Sequence, residues 1–310
     1  MLDVISIGEA LIDLTQSGVS ERGVPVYDAN PGGAPANLAA AAAKLGAGTA
    51  FIGKVGEDAF GDLLMRTLEG CGIDVSGMIK DPAVRTTLAI ASVDGKGERS
   101  FAFYRKPGAD IMLTKEEALS ALKPSKILHF GSLSLTDEPS RTAVIETVKT
   151  AKDLGALISY DPNYRAALWP NEKEAVEAMK APLPLVDIIK VAEDELSLLT
   201  GTSDPEKGSL ILAQAGPRLV FVTLGENGAL CRLGDTVVKA AGIPVKVADT
   251  ISAGDAFLGA ALSRLVKYKG LDELTADDLK SITAFANKAA SMTVARPGAI
   301  PAMPAMEDLE

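Results

Sequence analysis

The chain has 310 residues, 47% of them hydrophobic and 23% charged, the make-up of a globular protein with a sizeable core. A formal net charge of −10 argues against nucleic acid or an anionic membrane surface as partner, because both call for a broad basic face; an anionic ligand would need local cations, backbone N–H groups or a metal ion. Two cysteines, Cys71 and Cys231, cannot supply a disulfide framework or a cysteine-rich zinc site, and a single histidine, His129, leaves acid–base chemistry to carboxylates and lysines.

The opening Met1-Leu2-Asp3 has no basic segment ahead of a long apolar core, and the longest apolar runs are too short to span a bilayer. Neither a signal peptide nor a membrane span is expected, and a cytoplasmic location is. Val4-Ile5-Ser6-Ile7-Gly8 is a short β-branched run closed by glycine, which predicts a buried parallel strand. Residues 9–13 leave its carboxyl end, where ligands of open α/β sheets bind. Asp13 there is either an acceptor for substrate hydroxyls or a solvated loop acid.

Pro31-Gly32-Gly33-Ala34-Pro35-Ala36-Asn37 leads into an alanine-rich helix predicted over 38–45, which Gly46 ends. The glycines allow backbone to lie against a ligand, and Asn37 offers both a donor and an acceptor, as a sugar hydroxyl pair requires. A plain strand-to-helix turn would read the same way. Residues 50–53 and 59–68 predict the next strand and helix. The alternation over 87–93, the Asp94-Gly95-Lys96-Gly97 turn and the run 100–104 predict a β-hairpin, set into the series as a flap over a site, a dimer surface, or both.

Strand and helix signals then resume: a strand at 127–130, a helix over 138–154, strands at 157–160 and 186–191, and a helix over 194–200. This βα alternation predicts a mostly parallel sheet with right-handed crossovers. Asp161-Pro162-Asn163-Tyr164-Arg165 and Lys190-Val191-Ala192-Glu193 place charged groups at strand carboxyl ends. Lys190 and Glu193 would equally suit the exposed opening of a helix. Residues 219–224 predict an apolar strand, Gly225-Glu226-Asn227-Gly228 a turn, 229–233 a hairpin partner, and 237–247 further strand.

Asp249-Thr250-Ile251-Ser252-Ala253-Gly254-Asp255-Ala256-Phe257 follows, a loop of small residues running into an apolar helix to about 265. Unpaired N–H groups and the macrodipole make such a helix start an anion site, and a carboxylate beside bound phosphate suits proton abstraction from an attacking hydroxyl. The other reading of Asp255 is a first-turn acid on an ordinary turn. A polar link at 267–278 and a helix over 279–294 complete the chain.

Gly32-Gly33-Ala34-Pro35-Ala36-Asn37 and Asp249-Thr250-Ile251-Ser252-Ala253-Gly254-Asp255 together resemble the two signatures of the PfkB (ribokinase-like) sugar kinases. The resemblance covers nearly the whole chain. Between them, Gly8-Glu9-Ala10-Leu11-Ile12-Asp13, Phe103-Tyr104-Arg105-Lys106-Pro107, His129-Phe130-Gly131-Ser132, Tyr160-Asp161-Pro162-Asn163-Tyr164-Arg165 and Val222-Thr223-Leu224-Gly225 are most similar to the fructokinase branch. It implies an α/β fold of the ribokinase-like three-layer α/β/α type, with a mostly parallel central sheet. A single domain over 1–310 would carry a small β-sheet lid, formed by inserted strands roughly within 14–30 and 80–110.

The resemblance also implies roles. Asp255 would be the general base, and the amides of Ser252, Ala253 and Gly254 the anion hole for a transferred γ-phosphoryl. Asp13, Gly32, Gly33, Asn37, Phe103, Arg105, Asp161 and Arg165 would bind the sugar. Lys190, Glu193, Thr223, Gly225, Gly228 and Asn287 would border ATP, with Glu193 placing Mg2+ through water. Asp249, Ile251 and Gly298 would contribute to a monovalent-cation site, with K+ ordering the anion loop. The implied reaction is ATP-dependent phosphorylation of the 6-hydroxyl of D-fructose, in a homodimer formed through the lid.

Two positions depart from the pattern. Ser252 stands where family members carry Gly or Ala, and Lys190 where many carry Asn in an Asn-x-x-Glu motif, although fructokinase-like relatives often have Lys. A 2-keto-3-deoxygluconate kinase is the neighbouring enzyme reading, with Arg105 and Arg165 taking a substrate carboxylate; Phe103-Tyr104-Arg105-x-Pro and Leu168-Trp169-Pro170 favour fructokinase. A non-catalytic sugar or nucleotide sensor on the same fold is the reading from another class.

Overall fold

The computed structural model describes residues 1–93 and 99–309, so the turn expected at 94–97 lies outside the described residues. β1 (Leu2–Ile7) is buried from Val4 onward and pairs in parallel with β4 (Thr49–Gly56) on one side and β8 (Ser125–Gly131) on the other. Its side chains alternate between two cores, Ile5 and Ile7 entering one and Val4 the other. Both faces are therefore covered, which explains why the sequence shows an unbroken apolar run there.

The chain then leaves the main sheet. β2 (Leu11–Val19) and β3 (Pro25–Gly32) form an antiparallel pair, and the chain returns through α1 (Ala34–Lys44) to β4. After α2 (Ala59–Gly70) and β5 (Asp74–Asp81), a second antiparallel pair, β6 (Leu88–Val93) with β7 (Arg99–Tyr104), joins the first by parallel pairing of β6 with β2. The result is a separate four-stranded sheet in the order β3-β2-β6-β7.

Helices α3 (Lys115–Ala121), α4 (Ser140–Asp153), α5 (Glu172–Lys180), α6 (Glu193–Thr200) and α7 (Pro205–Gln214) connect the remaining strands β8, β9 (Leu157–Asp161), β10 (Ile188–Ala192) and β11 (Leu219–Thr223). β12 (Ala229–Leu233) and β13 (Thr236–Ala240) add an antiparallel edge. The nine strands run in the order β13-β12-β11-β10-β9-β8-β1-β4-β5. Val144, Val148, Met179, Leu196 and Leu212, from α4 to α7, pack on one face. The opposite face holds Leu38 of α1, Phe257 and Leu258 of α8 (Ala253–Leu265), and Ile282 and Ala286 of α9 (Ala276–Val294). This is the expected three-layer α/β/α arrangement.

The small residues of α1 have a steric reason. A Cβ on Gly259 of α8 would meet Ala41 Cβ at 2.6 Å and Leu38 O at 2.8 Å, so α8 needs glycine where α1 crosses it, and α1 presents a small side chain, Ala41, at the same point. That contact brings the start of α1 against the start of α8.

Several expected boundaries move. α1 starts at Ala34, with Pro35 in its first turn. The segment 237–247 is a strand only to Ala240, because Gly242 packs against Glu226 and Pro244 offers no N–H for a ladder. Residues 80–81 belong to β5 of the main sheet, and the small sheet's second pair spans 88–104. Among the described residues no helix is long and apolar enough to cross a membrane.

Candidate active site

A cleft of about 800 Å³ opens where the small sheet overhangs the carboxyl ends of β1 and its neighbours. One end is lined by Glu9, Asp13, Gly33, Asn37, Ala89, Phe103 and Arg165; the other by Lys190, Asp194, Glu195 and Thr223. Thr250 to Asp255 lie between.

The floor is built from two helix starts. Gly33 is the N-cap of α1 at φ 103°, and a Cβ there would meet the Glu9 carbonyl oxygen at 2.5 Å, so the turn admits glycine alone. Ser252 is the N-cap of α8 at φ 63° and ψ 9°, a left-handed conformation that costs a residue with a Cβ about 1 kcal/mol. Among the described residues no side chain caps α8, so its first N–H groups remain for a ligand. Lys190 Nζ stands behind them, 2.6 Å from where a Cβ on Gly254 would sit. Amides, helix dipole and ammonium thus add positive potential at one spot in an acidic protein.

Asp255 is buried one turn into α8. Asn37 Nδ2 donates to Asp255 Oδ2 at 2.9 Å and to Ser252 Oγ at 2.8 Å, so the close contact of α1 and α8 becomes a polar contact in the cleft. Burial, and then the charge of Asp161, push the Asp255 carboxyl up to about 6, while the Asn37 hydrogen bond and the Lys190 charge pull the other way. Asn37 Oδ1 is buried with no partner among the described residues.

Two more carboxyls face the same end. Asp13 is raised to about 7, chiefly by burial, with Arg165 opposing and Asp255 and Asp249 reinforcing. Glu9, also raised to about 7 by burial, accepts from Ala34 N at 3.3 Å and Ser134 Oγ at 3.1 Å. At the other end Lys190 Nζ donates to Asp161 Oδ2 at 2.9 Å, both groups buried. Burial opposes the ammonium, yet Asp161 and Glu195 outweigh it and raise its pKa. Glu195 is raised by its own burial, and its oxygens accept from Tyr164 N at 2.7 Å and Ala192 N at 2.8 Å.

A profile of the pfkB family carbohydrate kinases matches residues 1–306. The chain belongs to the pfkB family of carbohydrate kinases. It is 42% identical to fructokinase-1 of Zea mays over 97% of this chain and 94% of that one. The solved fructokinase of Xylella fastidiosa, with bound ATP, is 30% identical at a TM-score of 0.89, covering 99% of this chain and 96% of that one. That of Vibrio cholerae O395, solved with fructose, ADP and calcium ion, is 35% identical at a TM-score of 0.88, covering 100% and 98%.

Within this kinase the expected site residues separate into those brought together and those that are not. Asp13, Gly33, Asn37, Phe103, Arg165, Lys190, Thr223, Ile251 and the 252–255 loop all line the cleft. Gly32 packs directly on the Asp13 carboxylate, leaving no room for a side chain. Asp161 stands behind Lys190, away from the cleft wall. Arg105 is also set back: its Nε donates to Asp110 Oδ2 at 2.7 Å, Nη1 to Thr136 Oγ1 at 2.7 Å and Nη2 to the Leu133 carbonyl at 2.9 Å.

Glu193 is exposed on the first turn of α6 and does not line the cleft, whereas Glu195, two residues on, is buried and does. Gly225 and Gly228 lie in the turn after β11, beyond the cleft wall. Asn287 Nδ2 donates to the Ala241 carbonyl at 2.7 Å, holding the segment after β13. Asp249 Oδ1 accepts from Ile251 N at 3.1 Å, and the amides of Ala248 and Asp249 donate to the Val294 carbonyl at the end of α9. Gly298, at φ 90°, lies just past that helix. Glu9 and Glu195 were not singled out from the sequence. The one available signal for Glu195 was its place three residues after Ala192 at a helix start, where a glutamate reaches back to the cap N–H.

Proposed function

We propose that this carbohydrate kinase transfers the γ-phosphoryl group of ATP to the 6-hydroxyl of D-fructose. The observation that carries the reading is the placing of Asp255 beside uncapped α8 amides, within hydrogen-bond reach of Asn37 and facing the Asp13 end of one cleft. In the step inferred, Asp255 takes the proton of the hydroxyl, whose oxygen bonds to the γ-phosphorus as the bond to the β–γ bridging oxygen breaks and ADP leaves. Amides at 252–254 and the Lys190 ammonium would meet the charge on the transferred group. Asp13 and Asn37 would hold sugar hydroxyls.

Fructose is favoured over 2-keto-3-deoxygluconate by the state of the arginines. Arg105 is committed to Asp110, Thr136 and Leu133, which leaves Arg165 as the one arginine on the cleft wall among the described residues, its charge acting on Asp13 and Asp255. Such a lining suits a neutral polyol better than a carboxylate. An active enzyme is favoured over a sensor by the intact Asp255 and its neighbours. The fructose and nucleotide found in related fructokinases support the same assignment.

Magnesium fits the ATP end, where Asp194 and Glu195 offer carboxylate oxygens, and we assign to Glu195 the water-mediated role expected of Glu193. Its chemistry when bound is to neutralise charge on the phosphates. Potassium fits the oxygen donors of Asp249, the Ile251 carbonyl and the 293–298 segment, and the Vibrio cholerae relative has been solved as a double mutant with potassium ion. A homodimer through the small sheet is supported by its exposed Val19, Val26, Tyr27 and Tyr104. Sedimentation would test it, a monomer with full activity speaking against it.

The deciding experiment is coupled ADP release with ATP and magnesium, with and without potassium, across fructose, 2-keto-3-deoxygluconate, ribose and glucose. Turnover on fructose alone supports the proposal. Turnover on the keto acid alone replaces it, and tight binding without turnover on any sugar favours the sensor.

A further inference from the structure

Ser252, at the start of α8, holds a left-handed conformation that glycine would adopt freely. Its side chain does have a partner. Ser252 Oγ accepts one hydrogen of Asn37 Nδ2 at 2.8 Å while the other goes to Asp255 Oδ2 at 2.9 Å. An amide nitrogen has two hydrogens, so the donor side of Asn37 is fully committed.

The acceptor side is not. Asn37 is 4% exposed and its Oδ1 has no hydrogen-bond partner among the described residues, although it belongs to a residue lining the cleft. Turning the amide over would set Oδ1 against the Asp255 carboxylate, acceptor against acceptor. Asp255 therefore selects which way the amide faces. A single hydrogen bond still leaves the amide plane free to rotate about it, and Ser252 supplies the second point that stops this.

We propose that Ser252 is a positioning residue for the sugar: by holding the Asn37 amide at a second point, its hydroxyl fixes the Asn37 side chain where it forms part of the sugar end of the cleft. The inference rests on the sugar-kinase reading of the cleft. It separates the role of the side chain from the anion-hole role proposed for the Ser252 backbone amide, which no change of side chain removes.

Two variants dissociate the hydroxyl from the backbone. Ser252→Gly removes the hydroxyl and relaxes the left-handed position, so it is expected to fold at least as well as the parent. Ser252→Ala removes the hydroxyl and keeps the conformational cost. Both should raise the KM for the sugar by about 2–10-fold, the range of one neutral hydrogen bond, with the ATP KM changed less than about 2-fold. In an Asn37→Ala background Ser252→Ala should add nothing further, because the group it positions is gone.

An unchanged sugar KM in both variants overturns the inference. So does impairment of Ser252→Ala alone, which would make the residue a matter of backbone conformation, or a change confined to kcat and the ATP KM, which would turn the hydroxyl toward the phosphoryl group. A parent chain that phosphorylates no sugar overturns the kinase reading, and this inference with it; an active parent with indifferent variants overturns the inference alone.

Discussion

Asn37 and Asp255, 218 residues apart in sequence, meet through a 2.9 Å hydrogen bond at the point where α1 and α8 begin. The bond exists because alanines on α1 and Gly259 on α8 let the two helices approach closely. It holds the carboxylate in one rotamer at the mouth of the amide loop. Asp255→Asn keeps the shape and can accept no proton. Its kcat should fall by about 10²–10⁴-fold, with the sugar Kd by calorimetry within a few-fold of the parent. Retention of turnover would remove Asp255 from the role of base.

The pH dependence follows from the same group. Asp255 must be ionised to serve as the proposed base, and burial with Asp161 nearby holds its carboxyl at about 6, above the usual range. Asp13, held at about 7, faces it and titrates with it. Below these values the base is protonated, so kcat/KM should decline as pH falls through about 6–7, not near 4. Because the Asn37 hydrogen bond favours the ionised form, Asn37→Ala should move the limb to higher pH. A flat profile down to pH 5 would contradict this assignment.

Arg105 and Arg165, which the sequence suggests as a pair, should separate by experiment. Arg105 is buried, and Asp110, which holds its Nε, also accepts from Thr87 Oγ1 at the root of β6. Removing Arg105 strands a buried carboxylate at the base of the small sheet, and Arg105→Ala should cost about 3–5 kcal/mol of stability by denaturant unfolding. Arg165 is exposed and lowers the pKa of both Asp13 and Asp255 through its charge. Arg165→Ala should leave stability within about 0.5 kcal/mol while raising the sugar KM. The reverse pattern would put Arg105 back in substrate binding.

The sequence made the two helix-start loops legible because their chemistry is local: glycines where a Cβ cannot fit, an asparagine or an aspartate one turn on. The parallel sheet was legible for a similar reason, since strands covered on both faces need unbroken apolar runs. What escaped it is orientation. Glu193, Asp194 and Glu195 are three successive acids, and a helix turns about 100° per residue, so the one that faces inward is set by the cap and not by composition. Arg105 read as a ligand because nothing in the spacing reveals that Asp110, five residues later, folds back onto it. Glu9 passed as a loop residue because its burial depends on Ser134 and on the turn at Gly33, both distant in the chain.

Glu9 offers a test of how strongly the cleft is shaped against its own stability. It is fully buried, and burial outweighs the favourable Arg105 charge and Ser134 hydrogen bond, so its carboxyl stands at about 7 in place of the ordinary 4.5. The native state therefore binds this proton more tightly than the unfolded chain does. Its contribution to stability is fully present below pH 4.5 and is lost as pH rises through about 7. Asp13 and Asp255 act in the same direction. His129 opposes them: burial lowers it to about 4, so it costs stability as pH falls below 6.5. Carboxyls such as Asp74, lowered to about 2, act only in stronger acid. At 1.36 kcal/mol per unit, the ionised Glu9 costs on the order of 3 kcal/mol at pH 8. Glu9→Gln cannot ionise and keeps an oxygen for Ala34 N, so its Tm should exceed the parent's by on the order of 5 °C at pH 8, with the gap closing toward pH 5. Equal destabilisation at both pH values would show that the carboxylate is needed charged, and would reverse the sign argued for the whole acidic end of the cleft.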